Sequence, residues 1–221
     1  MALLINIDTA NEKAAVSISD NGKLVAVMES GNTREHAAFL HPAIESLLQK
    51  CNYEINNIDA IAVTEGPGSY TGLRVGMATA KGLCFALKKP LITIGTLPMM
   101  AMAMIENNRD NDILFCPMID ARRMEVFTAV YDRLLHIVLP PCSMILTPDS
   151  FHEYLKDYKV LFSGSGSNKW QTNVNDRNAL FSEALEPLHA FNKMAYDKFC
   201  KGEFSDVAYT QPLYLKDFHK G

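Results

Sequence analysis

The segment that most constrains the fold is 59–88, where the apolar run DAIAVT meets the glycine-rich turn EGPGSYTGLR (65–74) and passes directly into a stretch with helical spacing of apolar residues. A short unbroken apolar run bounded by turn residues reads as a strand buried on both faces, and 71–88 then reads as a helix. Residues 91–95 form a second buried strand. They are followed by a helix over 96–106, capped by Thr96 with Pro98 in its first turn. Alternating strands and helices of this kind specify an α/β protein.

Upstream, 3–7 is a short apolar run, and 14–19 and 24–29 are β-type segments separated by the hairpin signal Asp20-Asn21-Gly22. A helix over 34–50 is expected, capped by Asn32 or Thr33, with Glu35 closing a capping box if Asn32 is the cap, and with Leu40, Ile44, Leu47 and Cys51 at helical spacing. Pro42 is expected to kink or delay it, since an interior proline costs about 3 kcal/mol. At Ile113 the order restarts. Residues 113–120 end in Met-Ile-Asp much as 3–8 end in Ile-Asp, and 125–131 follow as a hairpin partner. A third strand near 136–139, a helix near 149–156 and a strand at 160–163 complete the repeat. Two lobes of this kind describe the ribonuclease-H-like duplication of actin, sugar kinases and chaperone ATPases. The expected fold is therefore an actin-like ATPase fold, with two duplicated lobes that each carry a mixed sheet flanked by helices. The lobes are expected to be 1–109 and 110–206, divided at the polar stretch NNRDN, and the tail 207–221 is compatible with a return to the first.

Composition narrows the function classes. With 48% hydrophobic and 21% charged residues among 221, the chain has the make-up of an ordinary folded protein. A net charge of -4 argues against wrapping nucleic acid unaided. The five cysteines form no C-x-x-C pair and read as small buried hydrophobes. The chain opens directly on a strand-like run, and no apolar stretch approaches the roughly 18–20 residues of a membrane span, so a cytoplasmic location is expected.

The loop Gly66-Pro67-Gly68-Ser69-Tyr70-Thr71-Gly72, between a strand and a helix, can in principle hold an anion through free N–H groups and the helix dipole. Its G-x-G-x-x-x-G spacing matches neither the dinucleotide fingerprint nor a Walker loop, and Ser69 lacks the flanking glycines of a nucleophile elbow. A tight structural turn and a ligand loop fit it equally. Candidate contacts of a weak nucleotide or anion site are Asp8, Thr9, Gly66, Gly68 and Ser69, with Gly164 and Gly166 in the later Ser-Gly-Ser-Gly loop. Asp120-Ala121-Arg122 also ends a strand, but Asp8 is the better candidate. Gly72, Gly76 and Ala80 lie on one helix face, and such a small row lets another helix approach closely. From the pattern alone, that helix can be the chain's own first helix or a helix of another subunit. His36 and His41 stand five apart, whereas ligand pairs on a helix stand three or four apart, so no metal site is expected.

At EGPGSYTGLRVGMATAKGL (65–83) the sequence resembles the TsaB (YeaZ) family, bacterial relatives of the TsaD threonylcarbamoyltransferase. LLINIDTA (3–10), MIDARRMEVFTAVY (118–131) and PLYLK (212–216) look like the same family in the same order. The resemblance implies a non-catalytic dimerisation and scaffold subunit that pairs with TsaD and recruits the ATPase TsaE. The complex places threonylcarbamoyl on the adenosine next to the anticodon of tRNA. It implies a homodimer when TsaD is absent, contact with tRNA only through the complex, no cofactor required by this chain, and ATP and magnesium used by the complex. The implied partner surface comprises Leu40, Ile44, Leu47, Gly72, Val75, Gly76, Thr79 and Ala80, so that Gly76→Leu would abolish pairing and leave the fold intact. The TsaD pattern H-x-x-x-H is absent, since His36 has Leu40 at that spacing, and Asp8-Thr9-Ala10-Asn11 lacks the glycine usual in actin-like phosphate loops. Glu65 stands where many family loops carry a basic or neutral residue. No residue of this chain is therefore expected to be catalytic. The main rival is a free-standing actin-fold ATPase or phosphotransferase with a ligand cleft between the lobes. A protease ranks last, because no Ser/His/Asp or metal spacing is visible.

Overall fold

The hairpin signals and strand–turn–helix units assemble two five-stranded sheets of matching order in the computed structural model, which describes residues 2–31 and 36–216. The first contains β1 (Leu3–Asp8), β2 (Ala15–Asp20), β3 (Lys23–Glu29), β4 (Ala60–Gly66) and β5 (Leu91–Gly95) in the order β3-β2-β1-β4-β5. Its first three strands pair antiparallel, whereas β4 joins β1 and β5 joins β4 in parallel. Asn21 and Gly22 make the β2–β3 turn with φ of 48 and 76, the left-handed positions that a two-residue hairpin demands. The second sheet contains β6 (Ile113–Asp120), β7 (Glu125–Tyr131), β8 (Ile137–Ile145), β9 (Lys159–Ser163) and β10 (Ala179–Phe181), ordered β8-β7-β6-β9-β10. Its strands repeat the antiparallel and parallel pairings of the first. The duplication read from the sequence is thus present as topology.

Helix α1 (His36–Cys51) runs through Pro42 without ending. Its apolar face buries Leu40, Ala43, Ile44, Leu47 and Leu48. At about 1.5–3 kcal/mol for each fully buried large aliphatic side chain, that face outweighs the roughly 3 kcal/mol of one interior proline. The expected caps Asn32, Thr33 and Glu35 lie outside the described residues. Helix α2 (Tyr70–Leu87) is capped by Ser69, whose Oγ accepts from the Gly72 N–H at 3.2 Å, and it closes on Lys88 at φ 55. Alternate residues of β1, β2 and β4, among them Ile5, Ile7, Val16, Ile18 and Val63, form the core with α1 and α2.

Helix α3 (Thr96–Glu106) has the expected bounds. Strand β8 is longer than the expected 136–139, whereas the helix expected near 149–156 is a single turn, α4 (His152–Leu155). The short α5 (Asn168–Gln171) brings Trp170 into an aromatic cluster with Phe151, Phe162 and Phe181. Helix α6 (Leu188–Lys201) has no counterpart in the sequence reading. Its buried face interrupts Ala190, Phe191 and Ala195 with Asn192, which accepts a hydrogen bond from Ser17 Oγ at 2.9 Å and dilutes the apolar period.

The chain divides into two units, the described residues within Met1–Thr96 and Leu188–Leu213, and those within Leu97–Pro187 and Tyr214–Gly221. The expected boundary at 109/110 is displaced for two reasons. Leu97 and Ala101 of α3 pack with Ile119, Ala129 and Tyr131 of the second unit, and α6 lies on β5, β1 and β3 of the first. The segment after α6 stays with the first unit: Ser205 bridges to Leu91, Lys81 Nζ donates to the carbonyls of Ala208 and Thr210, and the Leu213 N–H donates to Glu65 O at 2.7 Å.

Candidate functional site

Asp8, Thr9, Gly66, Gly68 and Ser69 meet in the first unit, where the parallel strands β1 and β4 end side by side. Asp8 Oδ1 accepts from the Ala10 N–H and from Thr64 Oγ1, each at 3.0 Å, and Thr64 Oγ1 accepts in turn from the Thr9 N–H at 3.3 Å. These bonds hold the chain leaving β1 against the loop leaving β4. The Ser69 N–H donates to Ala10 O at 2.7 Å, and the Gly72 N–H is taken by the Ser69 cap. A Cβ on Gly68 would stand 2.9 Å from the Ala10 carbonyl carbon and closer still to its oxygen, and one on Gly72 would overlap Thr9 O. Gly66, at φ +113, would meet Leu213 O at 2.7 Å. The glycines therefore admit the chain's own carbonyls close against the loop that precedes α2.

The second unit repeats the device. Gly164 and Gly166 follow β9, the parallel neighbour of β6, and the Gly166 N–H donates to Met118 O at 3.0 Å. A Cβ at Gly164 would meet Met100 Cε at 2.6 Å, and one at Gly166 would meet Val126 Cγ1 at 2.7 Å. In both units a glycine loop after the parallel strand packs on the end of the first strand. This close approach accounts for the glycines of both loops.

The row Gly72, Gly76 and Ala80 faces inward, which corrects its assignment to a partner surface. A Cβ on Gly76 would overlap Thr9 Oγ1, so the two glycines of the row meet the end of β1, whereas Ala80 lies in the core cluster that α1 also enters. Leu40, Ile44 and Leu47 are likewise buried in the first unit's core. Of the eight residues assigned to the interface, Val75 and Thr79 are half-buried and the other six are inaccessible. The outward stripe of α2 is instead Thr71, Arg74, Ala78, Gly82 and Phe85, and Phe85 is 82% exposed. The sequence carried a signal for it: one aromatic at helical spacing from small residues on the face opposite the buried one.

His36 is buried with Nδ1 unpaired, whereas His41 is exposed, so the two histidines face different surroundings. Among the described residues no group of three or more His, Cys, Asp or Glu side chains is placed to hold a metal. A cleft of about 400 Å3 opens beside the end of β3, lined by Met28, Ser30, Phe39, Pro42, Ala43 and Ser46, none of which ionises. Ionisable side chains cluster instead at the β6–β7 turn. There Lys169 Nζ donates to Asp120 Oδ1 at 2.8 Å and Lys216 Nζ to Glu125 Oε2 at 2.6 Å. Burial raises the Asp120 carboxyl, but the Lys169 hydrogen bond and the Arg122 N–H outweigh it and hold it below its ordinary value. The Lys216 ammonium, with the Ser143 hydroxyl, holds Glu125 low. No helix among the described residues is long and apolar enough to cross a membrane.

The TsaD family model, tRNA N6-adenosine threonylcarbamoyltransferase, matches residues 30–204. The chain is 32% identical to the tRNA threonylcarbamoyladenosine biosynthesis protein TsaB of Bacillus subtilis (strain 168), covering 78% of this chain and 75% of that one. It is 28% identical to the TsaB protein of Escherichia coli (strain K12), covering 97% and 94%. Its fold is shared with a solved Pseudomonas aeruginosa protein described as similar to peptidase YeaZ, at TM-score 0.81 and 24% identity, over 98% of this chain and 100% of that one. It is shared more distantly with the inorganic polyphosphate/ATP-glucomannokinase of Arthrobacter sp. strain KM, at TM-score 0.51 and 14% identity, over 91% and 100%. The sheets are thus those of the actin-like, ribonuclease-H-like fold, and the chain belongs to the TsaB (YeaZ) family of TsaD-related proteins.

Proposed function

We propose that this chain is a non-catalytic dimerisation and scaffold subunit in tRNA threonylcarbamoyladenosine biosynthesis. It pairs with a TsaD-type protein, which carries the chemistry of N6-threonylcarbamoylation on the adenosine next to the anticodon. The observation that carries the non-catalytic reading is the packing of the Thr9 and Ala10 carbonyls into the glycine loop before α2, which uses the N–H groups of Ser69 and Gly72 within the chain. A phosphate-binding loop turns its backbone N–H groups to the ligand, and this loop turns two of them to its own chain. The chain itself requires no cofactor, and ATP and magnesium are used by the complex.

The pairing surface is the outward stripe of α2 with Val75 and Thr79 beside it. An aromatic anchor, Phe85, follows Ala78 and Gly82, which let a partner's backbone approach. The same face makes the homodimer when the partner is absent, a TsaE-type ATPase joins the heterodimer, and tRNA is engaged only within the complex, in the cytoplasm. Gel filtration of Phe85→Asp with a TsaD-type protein tests the surface: co-elution is lost and the variant keeps the far-ultraviolet circular dichroism of the folded chain. Retained co-elution overturns the surface, and ATP turnover by the isolated chain at micromolar nucleotide overturns the non-catalytic role in favour of an actin-fold ATPase.

A further inference from the structure

Two successive arginines, Arg122 and Arg123, occupy the left-handed region at φ 73 and 48 in the turn between β6 and β7. Side chains with a Cβ are disfavoured there, and the β2–β3 turn of the same chain meets that demand with Asn21-Gly22. The turn keeps its shape because Lys169 is spent on it. From α5, Lys169 Nζ donates to Asp120 Oδ1, Arg123 O and Glu125 O, each at 2.8 Å, which uses all three of its donors. The Arg122 N–H adds a 2.6 Å bond to Asp120 Oδ1, and the Glu125 N–H a 3.0 Å bond to Arg122 O.

The consequence is electrostatic. Asp120 and Glu125 are the carboxylates flanking the arginines, and they are bound to Lys169 and Lys216. Those four charges cancel. Both arginines are exposed, and neither guanidinium makes an ion pair or hydrogen bond among the described residues. A rigid turn therefore presents two adjacent uncompensated guanidinium groups on a chain whose net charge is -4. Guanidinium is the side-chain group best matched to phosphate, because its planar fork can donate two parallel hydrogen bonds.

We propose that Arg122 and Arg123 are a phosphate-binding turn through which this chain grips the sugar–phosphate backbone of tRNA in the assembled complex. The inference rests on the proposed role in tRNA modification. That role favours RNA over an acidic protein surface, and a chain of overall negative charge meets a polyanion through local cationic points of this kind.

The test uses the chain bound to a TsaD-type protein, with tRNA affinity followed by fluorescence anisotropy over a salt series. Arg122→Ala/Arg123→Ala weakens tRNA binding about tenfold or more and lowers the slope of log affinity against log salt by about 1–2, while co-elution with the partner is unchanged. Arg122→Lys/Arg123→Lys keeps most of that slope. Unchanged tRNA affinity and slope in the alanine variant overturn the proposal, as does a loss confined to ATP binding, which would assign the turn to a free nucleotide. Should the alanine variant misfold, phenylglyoxal modification of the wild-type complex decides. Protection of both arginines by tRNA supports the proposal, and protection by the partner protein alone overturns it. Failure of the wild-type chain to co-elute sinks the pairing role instead. Protection of the isolated chain by tRNA is then the readout, and its absence overturns the phosphate assignment.

Discussion

Alanine at Gly72 should destabilise the first unit, whereas alanine at Gly82 of the same helix should stabilise it. A Cβ at position 72 falls short of the 3.4 Å at which ordinary contact with Thr9 O begins by more than 1 Å, and it stands 3.1 Å from Ser69 Oγ, the cap of its own helix. The opposing atom is backbone. The chain leaving β1 cannot swing aside, since its N–H groups at Thr9 and Ala10 are tied to Thr64 and Asp8. Overpacking of this kind costs about 1–3 kcal/mol, and damage to the Ser69 cap adds about 1 kcal/mol. The better helix propensity of alanine returns at most about 1 kcal/mol. The net loss of about 1–3 kcal/mol corresponds to a Tm lower by about 2–12 °C for a chain of this size. Gly82 is exposed and has nothing within 4 Å of its built Cβ, so in the monomer only the propensity gain remains, and at concentrations dilute enough to prevent self-association the Tm should rise by about 2–4 °C. Thermal melts of the isolated chain by far-ultraviolet circular dichroism, with urea midpoints alongside, measure both. Shifts of the same sign in the two variants would refute the inward orientation of the small row. On the same geometry, Gly76→Leu should unfold the first unit rather than leave it intact.

Two further outcomes follow from the ionisable groups. Asp120 and Glu125 titrate lower in the folded chain than in the unfolded one, so the stability they contribute is complete well above pH about 4 and is lost as pH falls through their folded values. Urea midpoints should drop between pH about 5 and about 3, and Glu125→Gln should flatten that drop; an unflattened profile would exclude Glu125 as a contributor. Burial pushes the Cys84 thiol up to about 12 and raises Cys116 further, whereas Cys200 is exposed. Maleimide at neutral pH should label Cys200 first and reach Cys84 and Cys116 only on unfolding, and native-state labelling of either buried thiol would contradict their placement.

Strands β5, β6 and β7 and helix α3 occur at the bounds read from the sequence, because their apolar runs end at turn residues whose conformational demands are local. The restart at Ile113 was legible for the same reason: the order of periods repeats even where residues do not. Helix α6 was not legible, since its buried Asn192 accepts from the Ser17 hydroxyl of β2 and breaks the apolar stripe that marks a helix. The same long-range contacts moved the division of the chain, since a boundary depends on which sheet a helix packs against and not on local polarity.

The glycine loop and the small row separate the two kinds of information most clearly. Their sequence settled that a tight turn precedes α2 and that one face of this helix is small, because both follow from backbone sterics and the 3.6-residue period. What lies against the glycines of that face is Thr9, and against the loop Ala10, brought by the parallel pairing of β1 with β4, and no local pattern encodes that arrival. Spacing therefore left ligand, partner and own chain open as occupants, and only the tertiary structure decided among them, because close contact is a property of distant segments meeting.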